Sequence, residues 1–144
     1  MDKKIEEQVK KKMKNGWIKT SMMVEAMAIS KEAVGSALKK HMERMEKEKC
    51  LLIYKKDFQE TREIEKPLPD IPKGFSQVVD IEAVAENFDR LVYIVLNYGP
   101  SSIEILEPHK MEIDVGQAQG ILNTIATMIH RFAASGGGGM IVST

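Results

Sequence analysis

The chain has 144 residues, of which 43% are hydrophobic and 29% charged, and its 21 basic and 21 acidic side chains cancel. A lone cysteine, Cys50, excludes an internal disulfide or a zinc ribbon and fits a reducing, cytoplasmic setting. No apolar run reaches transmembrane length and nothing reads as a signal peptide, so no membrane partner is expected.

Residues 2–15 place Ile5, Val9 and Met13 one turn apart, with Trp17 just after them. That spacing predicts an amphipathic helix, and Gly16 is a fitting C-terminal stop. Residues 20–40, TSMMVEAMAISKEAVGSALKK, read as two short amphipathic helices joined by a three-residue turn. Thr20 or Ser21 would cap the first and Ser30 the second. Met23, Val24 and Met27 would point inward from the first helix, and Val34, Ala37 and Leu38 from the second. Apolar Leu51, Leu52, Ile53 and Tyr54 suit a strand, and Ile64 sits in an alternating one; a hairpin between them would form a wing.

The run Val24, Glu25, Ala26, Met27, Ala28, Ile29 and Ser30, followed by Val34, Ala37, Leu38, Lys39 and Lys40, resembles the helix-turn-helix of winged bacterial and archaeal regulators. The resemblance implies double-stranded DNA as partner, with residues 31–40 as recognition helix. Lys31, Ser36, Lys39 and Lys40 would then meet bases or phosphates, and Lys55, Lys56 and Arg62 would do so from the wing. Gly35 would permit a close approach to DNA or to another helix. Charge supports a basic half: residues 1–66 hold 17 Lys and Arg against 12 Asp and Glu, a net +5, and residues 67–144 hold 4 against 9, a net −5.

Prolines 67, 69 and 72 with Gly74 predict a semi-rigid linker over 67–74. Beyond it, Val78, Val79 and Ile81 suit a short strand, residues 82–97 a helix ending at Gly99-Pro100, and residues 102–106 another strand. Asp114 would cap a last helix whose stripe runs from Val115 through Ala118, Ile121, Leu122, Ile125, Met128 and Ile129 to Phe132. That stripe is wide enough for a core and a partner helix. The fold expected is α+β: a winged helix-turn-helix domain (1–66), the linker (67–74), a dimerisation or sensor domain (75–135) built as strand-helix-strand-helix, half of a ferredoxin-like layer, and a flexible glycine-rich tail (136–144). Leu96, Gly99, Pro100 and Glu104 to Pro108 also resemble a segment near the C-terminus of WYL-domain transcription regulators, which implies oligomerisation and ligand sensing through this region.

Catalytic chemistry is poorly represented. His41, His109 and His130 fall in different elements without metal spacing, and Glu104, Glu107, Glu112 and Asp114 read as solvated strand-edge charges. The expectation is a non-enzymatic, homodimeric, DNA-binding transcription regulator that needs no cofactor or metal and responds to an unidentified small-molecule effector. The alternative is a protein-interaction adaptor.

Overall fold

In the computed structural model, which describes residues 2–135, the elements follow in the order α1 (Lys3–Lys14), β1 (Ile18–Ala28), α2 (Lys31–Glu46), β2 (Leu51–Phe58), β3 (Arg62–Leu68), β4 (Ile71–Ala85), α3 (Phe88–Tyr98), β5 (Ser102–Glu107) and α4 (Val115–Ala134). The class is α+β. The strands form one antiparallel sheet ordered β2-β4-β1-β5, with β3 also paired to β4. β1 and β4 match residue for residue from Ile18↔Ala85 to Ala28↔Phe75. β2 and β3 divide the other edge of β4 between them, at 79–85 and 71–76.

The expected helix-turn-helix is not formed, because residues 20–28 are strand. Their burial alternates with period two: Ile18, Thr20, Met22 and Val24 are buried, while Met23 and Met27 stand exposed. Helix and strand periods both fit this apolar run, and pairing with β4 on one side and β5 on the other selects the strand. Thr20 satisfies its buried hydroxyl by donating to the Ala83 carbonyl at 3.3 Å.

α2 does form. The Ser30 side chain accepts from the Ala33 amide, and Val34, Leu38, Met42 and Met45 make the buried face, with Ala37 exposed. Leu38, Met42 and Met45 join Ile81, Ala83, Leu91 and Ile94 in the core on one face of the sheet. α1 lies across β2 and β4 from the other face, where it buries Val9 and helps to enclose Val84.

Three further expectations change. The wing is absent, since β2 and β3 each pair with β4 and not with one another. Residues 67–74 belong to the β3–β4 hairpin, and β1, from the expected first domain, lies between β4 and β5 of the expected second. The helix expected from Glu82 starts at Phe88, because β4 continues through fully buried Ala83, Val84 and Ala85. The tail expected at 136–144 lies outside the described residues.

The two readings of residues 20–28 separate on two methionines. Met22→Ala should cost about 2–5 kcal/mol as a core truncation, and Met27→Ala less than about 0.5 kcal/mol as a surface change. Denaturant unfolding of both variants checks this; a large loss at Met27 with none at Met22 would restore the helical reading.

Candidate functional site

α3 starts on Asn87, whose side chain accepts from the Arg90 amide, and ends on Gly99 in the left-handed region at φ 56°. Its Leu91 and Ile94 are buried. Val92, Val95 and Leu96 instead line an open groove of about 510 Å³ with Ile103 and Ile105 of β5 and Ile125 of α4. α4 begins with a full capping box between Asp114 and Gln117. It is seated on α3 by Thr124, whose hydroxyl lies 2.9 Å from the Asp89 carboxylate, at a point where Gly120 brings the helix backbone close to Asp89.

The rest of α4 is weakly covered. Leu122 is 62% exposed, Ile129 44% and Phe132 57%, and Ala133 is the helix's one buried residue. Across 115–134 the single formal charge at neutral pH is Arg131, in a chain that is 29% charged. An uncharged apolar area of this kind is characteristic of an interaction surface rather than of a solvated helix. Its width was legible in the apolar stripe, but its exposure was not.

The lysines expected to contact DNA separate. Lys31, Ser36, Lys39 and Lys40 are exposed on α2. Lys39 and Lys56 border one groove of about 400 Å³ between α2 and β2, together with Gly35, Phe58, Glu43 and Glu46, and Lys56 is paired with Glu46. Lys55 lies on the opposite face of the sheet, 3.4 Å from Glu82. Arg62 stands on β3 opposite Ser76, and so the seven residues do not share one surface.

Sequence reasoning missed the carboxylate–tyrosine contacts, because their partners lie far apart in the chain. Glu48 accepts from Tyr93 at 3.1 Å and from Tyr98 at 2.6 Å, which ties the end of α2 to α3. His41 adds a 2.8 Å bond from Nε2 to the Tyr98 carbonyl. On the other sheet face Tyr54 donates to Glu82 at 3.0 Å, and the Lys19 ammonium lies over its ring. Burial, and then these carboxylates, push all three phenols above the ordinary tyrosine range. Burial, followed by the nearby Glu48 charge, raises the Cys50 thiol above its ordinary range. Among the described residues no cluster of three His, Cys, Asp or Glu is arranged to hold a metal ion, and no helix is long and apolar enough to cross a membrane.

Ionisation of the chain's three tyrosines should therefore lag behind the ordinary tyrosine value of about 10. Above that pH the unfolded chain loses phenolic protons that the folded chain keeps, so this contribution to stability is intact below about pH 10 and falls as pH rises through the folded values. Ultraviolet titration with parallel circular dichroism checks the order of events; full phenolate absorbance at pH 10 in a folded chain would contradict it.

No curated protein and no solved structure matches the chain. One family matches over residues 19–143, from the start of β1 to beyond α4, and the chain belongs to this MJ0538 family.

Proposed function

We propose that the protein is a non-catalytic interaction module, an adaptor whose working surface is the apolar α3–β5–α4 face. The observation that carries this reading is the α4 helix: it rests on α3 and leaves Leu122, Ile129 and Phe132 in solvent. Leaving such side chains about half exposed forgoes roughly half of the 1.5–3 kcal/mol each that full burial gives, which a partner recovers. On this reading the βαββαβ order of β1, α2, β2, β4, α3 and β5 is a ferredoxin-like layer that serves as a rigid platform, and the protein works in the cytoplasm.

Photocrosslinking reads the surface directly. With p-benzoylphenylalanine at position 122, irradiation of intact cells should yield protein adducts that the same group at position 4, on α1, does not. Equal yields from the two positions, or no protein adduct from position 122, would contradict the reading.

A second reading, DNA-binding transcription regulation with the C-terminal half dimerising and responding to a small effector in its groove, keeps one specific support. Among the described residues Lys31, Lys39 and Lys40 have no ion-pair partner, whereas Lys55 and Lys56 do. Here α2 would meet phosphates by its exposed side and not as part of a helix-turn-helix. Duplex binding should then be steeply salt-dependent and fall about tenfold or more in a Lys39→Glu/Lys40→Glu variant. Fluorescence anisotropy at two salt concentrations measures both, and binding unchanged by the charge reversal would set this reading aside.

A further inference from the structure

Resting on the interaction-surface reading, we propose that the occupant of the α3–β5–α4 face is a second copy of this chain, joined to the first about a two-fold axis through the β5 edges. Among the described residues β5 ends the sheet order, and one of its edges has no neighbouring strand. It carries neither lysine nor proline, the residues that commonly protect an edge. The opposite edge strand, β2, carries Lys55 and Lys56 and a register shift between Ile53 and Lys55.

The residues of β5 suit self-pairing. Ile103 and Ile105 point toward the helices and are 38% exposed each, with Glu104 between them on the other face. An antiparallel pair centred on Glu104 sets Ile103 of each copy opposite Ile105 of the other. The two grooves then share one apolar floor across the axis, and the α4 helices approach over it. Size agrees: α4 has 20 residues and so is about 30 Å long. That length matches the long dimension of a standard interface of roughly 800 Å² per partner. Near-absence of charge on α4 fits a face covered in both copies alike, and closed two-fold pairs are the commonest soluble assembly.

The same register sets Glu104 against its own counterpart, a like-charge pair across the strands. Removing that charge strengthens the pair.

Sedimentation equilibrium of the full chain tests the proposal, with Leu122→Asp, Ile105→Asp and Glu104→Gln as variants and circular dichroism as the folding control. The expected result is a two-chain mass for the natural sequence. The two aspartate variants should be folded and dissociate about tenfold or more readily, and Glu104→Gln should associate about two- to fivefold more tightly. A single-chain mass at every concentration overturns the second copy as occupant; protein adducts from position 122 would then still uphold the adaptor reading, and their absence would remove both. A dimer indifferent to both aspartate variants places the contact elsewhere and overturns the inference. Glu104→Gln without tightening overturns the β5 register. Mixing ¹⁵N-labelled and unlabelled chains before photocrosslinking at position 122 completes the test. Adducts between labelled and unlabelled chains support the second copy; adducts confined to one chain, at residues 140–142, overturn it in favour of the protein's own C-terminal segment.

Discussion

The antiparallel pairing of β1 with β4 governs the rest of the molecule. Eleven consecutive residues of β1 oppose eleven of β4 without a break in register. With β5 on its other side, β1 has ladder partners on both edges over residues 19–23. A slip of one residue would turn Thr20, Met22 and Val24 out to solvent and Ser21, Met23 and Glu25 into the core. The helix layer depends on this register, because α2 and α3 pack against the face that carries Met22, Val24, Val79 and Ile81.

From that sheet the charge and apolar patterns acquire directions. The positive groups of the first half lie mainly on α1 and α2, which pack on opposite faces beside β2. The far edge, β5, leads to the nearly uncharged α4. A sequence with no net charge thus folds into a body whose positive groups are spread over both faces near β2 and whose far edge is nearly uncharged.

The elements legible in the sequence are those set by near neighbours. Ser30 and Asp114 cap α2 and α4 through amides three residues away, and Gly16 and Gly99 mark positive-φ stops. Residues 20–28 were not legible, since Met and Ala favour helices and both periods fit the run; the decisive partners lie some fifty or more residues downstream in β4. Pro72 and Gly74 argued for a linker, yet β4 tolerates them where β3 is its only neighbour and a missing N–H can face the free edge. The groove between α2 and β2 was half visible. Lys39 and Lys56, both expected on the binding surface, border one groove, but strand alternation sends Lys55 to the other face. Glu48 gave no signal, because its tyrosine partners are 45 and 50 residues away.

Nuclear Overhauser spectroscopy of residues 18–28 measures the central pairing most directly. The account predicts cross-strand contacts between β1 and β4 in the register Met22↔Ile81 and Val24↔Val79, with no run of sequential amide–amide contacts from 20 to 28. Strong sequential amide–amide contacts through that segment, with no cross-strand contacts to β4, would mean a helix there and would contradict the sheet on which the whole description rests.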